Sequence, residues 1–205
     1  MILVDSLIQE GWLKTPRIIE AFRKIKRKDF LPEDLKDLAE LNEALPIDYG
    51  QTISQPLVVA FIMEELQPQK GEKILDVGSG SGWTTALLAE IVGEQGKVIA
   101  MEIVPPLVEF GKKNVEKYNF VKKGIAEFIL GDGSKGYEKE APYDKILASA
   151  SAIKIPQAWK EQIKIRGKIV APVANSIMVL TKTVEQKFEE KEYPGFLFVP
   201  LISER

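Results

Sequence analysis

Carboxylates and glycines carry the chemistry that can be read in this sequence. The run Asp76-Val77-Gly78-Ser79-Gly80-Ser81-Gly82-Trp83 follows a short apolar stretch, residues 73–77, and opens a helical one. Glycines at a strand-to-helix turn let the backbone bend tightly and approach a ligand closely. The spacing is G-x-G-x-G. A dinucleotide fingerprint would need a glycine where Trp83 stands, and the Gly-Lys-Ser/Thr of a phosphate loop is missing. Glu102 lies twenty positions past Gly82, at the end of the next apolar run. A carboxylate there can accept hydrogen bonds from both hydroxyls of a ribose. Gly131-Asp132-Gly133 follows a third run. All three features fall at C-terminal ends of expected strands, the edge where open α/β sheets bind ligands.

The composition removes many alternatives. The chain has 205 residues, with 28 Lys+Arg against 30 Asp+Glu, and neither His nor Cys. Thiolate nucleophiles, disulfides, zinc–thiolate sites, imidazole bases and Ser-His-Asp triads are therefore excluded, and no metal is expected. An enzyme of this composition needs chemistry that works without imidazole. A net charge of -2 argues against a nucleic-acid partner. No stretch approaches the ~20 apolar residues of a spanning helix, so no membrane association is expected. The first ten residues carry Asp5 and Glu10 and read as no signal peptide, which points to the cytoplasm.

Elements that position these residues follow from periodicity. Thr15-Pro16 marks a helix start, with Ile18, Ile19, Phe22 and Ile25 on one face. The basic run from Arg23 to Lys28 reads as the solvated back and C-terminal end of that helix. A second helix is expected over 33–41, then a loop over 45–56, then a helix opened by Ser54 and Pro56. From residue 71 apolar strands (73–77, 97–102, 125–130, 144–148, 168–173) alternate with helices (81–92, 105–119, 156–163). That order implies a doubly wound, mostly parallel sheet. Residues 177–184, 187–192 and 196–201 read as successive strands, adding antiparallel pairing at one edge. One domain over 1–205 is expected, with a helical part (1–70) and an α/β core (71–205).

The ordered trio of Gly-rich turn, acidic strand end and Gly-Asp-Gly resembles the class I S-adenosylmethionine-dependent methyltransferases, which implies a seven-stranded Rossmann-like sheet. The resemblance makes Asp76, Gly78, Ser79, Gly80, Gly82, Glu102, Gly131, Asp132 and Gly133 cofactor-binding residues. Among these, Glu102 would hold the ribose and Asp132 the adenine amino group. The block Leu45-Pro46-Ile47-Asp48-Tyr49-Gly50-Gln51-Thr52-Ile53-Ser54-Gln55-Pro56 narrows the resemblance to protein-L-isoaspartate O-methyltransferases. Further matches at Ala141-Pro142-Tyr143-Asp144, Ile155-Pro156, residues 167–173 and Phe198-Val199-Pro200-Leu201 extend it over nearly the whole chain.

That family methylates the α-carboxylate of L-isoaspartyl residues in damaged proteins, turning S-adenosylmethionine into S-adenosylhomocysteine. By resemblance Ser54 is the catalytic residue beside the acceptor, with helix capping as its other role. Thr52, Ile53, Pro172 and Val173 would line the peptide groove. The expected partners are isoaspartyl peptides and proteins, met by a monomer. The sequence departs from the family at Asp48, Arg166 and Ala174, where glycine is usual, and at Trp83, where tyrosine is common. Trp12, Trp83 and Trp159 read as packing residues, with cofactor stacking a second role for Trp83. Tyr49 reads as core or cleft wall. No Asn/Asp-Pro-Pro-aromatic motif of base and amine methyltransferases follows the fourth strand. A peptide aspartate O-methyltransferase and a non-catalytic cofactor-binding protein remain as alternatives.

Overall fold

Proline and glycine cut the chain into its elements. In the computed structural model, which describes residues 3–203, α1 (Leu3–Gln9) is followed by α2 (Pro16–Lys24). Helix α2 begins at Pro16 as the sequence implies, but Thr15 makes no capping bond. Its hydroxyl donates instead to Glu64 Oε2 at 2.6 Å. A 3-10 turn, Arg27–Phe30, follows α2, and a second, Glu33–Leu38, stands in place of the helix expected over 33–41.

The basic run also departs from expectation. Arg23, Lys24, Lys26 and Lys28 are exposed, but Arg27 is buried. Helix α2 stops at Lys24 and the next residues are extended. Extended chain alternates its side chains, so Ile25 and Arg27 both turn inward.

The expected loop over 45–56 contains a small antiparallel hairpin. Strand β1 (Leu45–Pro46) pairs with β2 (Thr52–Ile53), and α3 (Pro56–Leu66) follows. The main sheet comprises β3 (Lys73–Val77), β4 (Lys97–Glu102), β5 (Ala126–Leu130), β6 (Tyr143–Ala148), β7 (Ile163–Val173), β8 (Ser176–Val184) and β9 (Lys187–Pro194). Their order is β5-β4-β3-β6-β7-β8-β9. The first five are parallel, and β8 and β9 add antiparallel pairs.

Helices α3, α4 (Trp83–Val92) and α5 (Pro105–Glu116) cover one face, burying Leu66, Leu87 and Val115 against Ile74, Val98 and Leu147. Helix α6 (Gln157–Gln162) covers the other, where Trp159 and Tyr143 pack on Leu75, Ile99 and Ile146. Leu7, Phe22 and Phe30 belong to the same apolar cluster as Ile74 and Leu147, so the N-terminal helices close onto the sheet.

Residues 196–201, expected as a strand, form none. Gly195 (φ +97°) turns the chain off the sheet, and Pro200 has no N–H to offer a ladder. Phe196 stacks on Phe61, their ring centres 5.2 Å apart. The segment then reaches Ser151, whose N–H donates to Val199 O and whose carbonyl accepts from Leu201 N–H, both at 2.8 Å.

Strand β4 lies on one side of β3 and β6 on the other. The strand order thus reverses beside β3 while the strands stay parallel, and such a switch opens a crevice at the carboxyl ends of the strands.

Candidate active site

The Gly-rich turn fills that crevice. Backbone N–H groups of Gly78 and Ser79 donate to Met101 O, at 2.9 and 3.1 Å, so the turn is stitched to the end of β4. Gly82 has φ +83°, and a Cβ there would meet Gly111 O at 2.8 Å, so only glycine lets α5 approach this closely. Asn114 Nδ2 donates to Ser81 O at 3.0 Å and locks the same contact. A Cβ on Gly80 would press on Ile47 at 3.3 Å, which shows how tightly the β1–β2 hairpin docks on the turn.

Three carboxylates surround the turn in different states. Glu102 is buried; its Oε2 accepts from Gly80 N–H at 2.9 Å, and its Oε1 from Ile103 and Val104 N–H at 2.8 and 3.0 Å. A carboxylate offers about four acceptor positions, so Glu102 keeps one on Oε2 for a ligand. Asp76 is fully buried, with Oδ2 accepting from Thr85 Oγ1 at 2.6 Å. Its Oδ1 has no hydrogen-bond partner among the described residues. Burial pushes its pKa up to about 7; the Thr85 bond opposes that rise and the charge of Glu102 adds to it. Asp132 is buried at the end of β5 and caps the turn Gly133–Lys135, accepting from Ser134 N and Oγ at 2.9 and 2.6 Å.

Ser54 enters from the N-terminal part. It does not cap α3: the N-cap position is Gln55, without a side-chain bond. The first-turn N–H of Leu57 is taken by Asn42 Oδ1 at 2.9 Å, and Gln55 Nε2 ties back to Asn42 O at 2.9 Å. A residue fifteen positions upstream thus does the capping, and the Ser54 hydroxyl makes no hydrogen bond to any described residue.

A cleft of about 710 Å³, open to solvent, gathers these parts. Thr52, Ile53, Ser54, Gly78, Ser79, Gly80, Glu102, Gly131 and Gly133 all line it. Asp76, Gly82 and Asp132 support the wall from behind and are not among its lining residues. Thr52 and Ser54 also line an adjoining groove with Val58, Ser149, Leu197 and Phe198. Pro172 and Val173 line neither space; Val173 faces a separate recess with Ile155 and Met178. Tyr49 is neither core nor cleft wall, since it stands 60% exposed at the hairpin tip. Trp12 and Trp159 pack as expected, Trp12 edge-on to Phe61 and Trp159 donating to Gly133 O at 2.8 Å. Trp83 is buried and lines the cleft as well.

Sequence reading missed three contributors. Residues 199–202 close one side of the cleft, and their continuous apolar run imitated a strand. Asn42 had no local signal, because its partner is distant in sequence. Arg27 was hidden in a charge run, where nothing in the sequence sets it apart from its basic neighbours.

A family model described as protein-L-isoaspartate(D-aspartate) O-methyltransferase matches residues 1–205. The chain belongs to this family. A protein-L-isoaspartate O-methyltransferase of Methanopyrus kandleri is 41% identical, over 98% of this chain and 90% of its own length. A second, from Archaeoglobus fulgidus, is 44% identical over 98% of this chain and 92% of its own. A crystal structure of the Plasmodium falciparum protein, in complex with S-adenosyl-L-homocysteine, superposes with a TM-score of 0.89 at 22% identity. It covers 98% of this chain and 97% of that one, a likeness of fold. Another structure titled protein-L-isoaspartate O-methyltransferase gives a TM-score of 0.86 at 26% identity, over 97% of this chain and 64% of that one. Within the family frame the departures gain a physical reason. Asp48, Arg166 and Ala174, all where glycine is usual, have φ of +74°, +66° and +52°. The fold demands left-handed backbone at all three positions, and this chain meets the demand with side chains attached.

Proposed function

We infer that this chain transfers a methyl group from S-adenosylmethionine to the α-carboxylate of L-isoaspartyl residues in peptides and proteins. The observation that carries the reading is the uncommitted Ser54 hydroxyl, set in one cleft with the Gly-rich turn and Glu102. The residues present suit this cofactor. Glu102 retains an acceptor position for a hydroxyl, and Ser79 Oγ and Asp76 Oδ1 are buried polar atoms without partners among the described residues. Acidic groups also suit a cationic ligand.

When bound, the cofactor supplies a methyl group on a sulfonium, which an ionised carboxylate attacks directly. The acceptor carboxyl, with an ordinary pKa near ~4, is ionised at neutral pH, so no general base is needed. That accounts for an active site without His or Cys. The chain's own task is positioning. Ser54 donates a hydrogen bond to one carboxylate oxygen and leaves the other in line with the methyl group. One C–O bond forms as one C–S bond breaks, and no proton moves. The backbone amide nitrogen of the following residue then attacks the ester carbonyl and expels methanol, giving a succinimide that water opens partly to normal aspartate. Thr52 and Ile53, with the adjoining groove beside Val58 and Phe198, receive the peptide.

The net charge of -2 argues against a nucleic-acid partner, and a chain without Cys suits a reducing compartment such as the cytoplasm. The shared apolar cluster supports one domain over 1–205. No helix among the described residues is long and apolar enough to cross a membrane.

The test is methyl transfer to two matched peptides, one with L-isoaspartate and one with L-aspartate. Transfer to the isoaspartyl peptide alone, lost in Ser54→Ala with cofactor affinity kept, is the expected result. Transfer to the ordinary peptide, or to neither peptide while the cofactor binds, overturns the substrate assignment.

A further inference from the structure

Arg27 is a buried cation, and among the described residues no carboxylate lies within ion-pair distance of it. Its guanidinium is spent on backbone instead. Nη1 donates to Ala39 O and Leu41 O at 3.3 and 3.0 Å; Nη2 donates to Glu43 O at 2.6 Å and to Ser54 O at 3.3 Å. The flat face lies over Trp83, with Cζ 5.4 Å from the ring centre. Trp83 is held edge-on by Phe22, at 5.7 Å, and lines the same cleft as Ser54. Burial pushes the Arg27 pKa down to about 10, with Glu40 opposing, so the group stays charged at neutral pH.

A buried unpaired cation is costly, and an apolar residue of similar volume would stabilise a core better. What only a guanidinium supplies here is a rigid planar fork that several carbonyls and one aromatic face can share. Four carbonyls from two separate stretches of chain, 39–43 and Ser54, converge on it. The 39–43 segment that it gathers is the one from which Asn42 caps α3, just past Ser54. Ser54 is therefore clamped from both sides: by Arg27 through its own carbonyl, and by Asn42 through the helix that follows.

We propose that Arg27 is a positioning residue for methyl transfer, fixing the backbone of Ser54 against the Trp83 wall so that the hydroxyl meets the acceptor carboxylate. The proposal rests on the role assigned to Ser54 above. Arg27 touches no reacting atom; its effect on the rate passes through Ser54.

The test is a double-mutant cycle of Arg27→Lys with Ser54→Ala, reading kcat for an isoaspartyl peptide at saturating S-adenosylmethionine. The dissociation constant of S-adenosylhomocysteine is measured alongside. Lysine keeps the charge but cannot reach four carbonyls or stack. Arg27→Lys should lower kcat about tenfold when Ser54 is present, since small misplacements of a positioned group cost that much or more. In the Ser54→Ala protein it should lower kcat less than about twofold, because nothing remains to misplace. The S-adenosylhomocysteine dissociation constant should stay within about threefold in both. A residue that merely stabilises the fold would lower kcat by the same factor in both backgrounds, and that result overturns the proposal. So does full activity of Arg27→Lys. If Ser54→Ala itself leaves kcat intact, the Ser54 assignment falls first and the inference with it. Should Arg27→Lys not fold, Asn42→Ala loosens the same clamp from its outer side. It should reproduce the non-additivity at smaller size, and simple additivity there refutes the clamp.

Discussion

Asp76→Asn separates the energetics of the turn from its chemistry. In the folded protein burial holds the Asp76 pKa at about 7, against an ordinary 3.8. Between these values the folded state keeps a proton that the unfolded chain releases. Stability therefore falls as pH rises from about 4 to 7, and levels off above. The interval from 3.8 to about 7, at about 1.4 kcal/mol per pH unit, amounts to roughly 4 kcal/mol. Asparagine has nearly the same shape, can still accept from Thr85, and does not titrate. Its own unpaired amide costs about 1–3 kcal/mol, a constant that does not vary with pH. The assay is urea unfolding of both cofactor-free proteins from pH 4 to pH 8. The stability difference, variant minus parent, should climb by about 4 kcal/mol across that range and be flat above pH 7. Other titrating groups cancel in the difference. A flat difference throughout would falsify the reasoning, since it would mean that Asp76 ionises at its ordinary value despite its burial.

Glu102→Ala should weaken S-adenosylhomocysteine binding by about 1–3 kcal/mol in a calorimetric titration, and should also loosen the turn that hangs on Gly80 N–H. Gly82→Ala puts a methyl 2.8 Å from Gly111 O at φ +83°, and should lower unfolding free energy by more than about 2 kcal/mol. Ala174→Gly relieves a left-handed residue worth about 1–2 kcal/mol, less the roughly 0.5–1 kcal/mol of added chain entropy. A small rise in melting temperature is the expected sign, and a fall would show that Ala174 is unstrained.

Much of the architecture was legible because each parallel strand is a compact apolar run bounded by glycine or a charge. Lys73–Val77 and Lys97–Glu102 fall where the pattern put them. Helix ends were less legible: α5 closes at Glu116, three residues before the expected end, and the chain runs on as turns to a left-handed Asn119. The strand expected at 196–201 failed because an apolar run reports which side chains are covered, not what covers them. Here Phe196 stacks on Phe61, and Pro200 makes only an isolated bridge to Ser151. The cleft was readable where its parts are local. Gly78, Gly80 and Glu102 lie within one strand-turn-helix-strand unit. Contacts that join distant stretches, such as Arg27 to Ser54 or Asn42 to Leu57, leave no periodic trace, and a cation amid four other basic residues looks like surface until the chain is folded.

The wall made by residues 199–202 bears on when the cleft comes into being. Its other walls arise from residues 51–54, 77–84, 101–104, 131–133 and 149–150, all of them synthesised earlier. During translation the sheet strands and the Gly-rich turn can leave the ribosome and pair while this side still stands open. The segment is held by two backbone bonds to Ser151, by bonds of Gly195 and Phe196 N–H to Asn175 O, and by the Phe196–Phe61 stack. The binding site is thus completed after the sheet that carries it, and a polypeptide interrupted before residue 199 carries the fold's signature residues with one wall of the cleft missing.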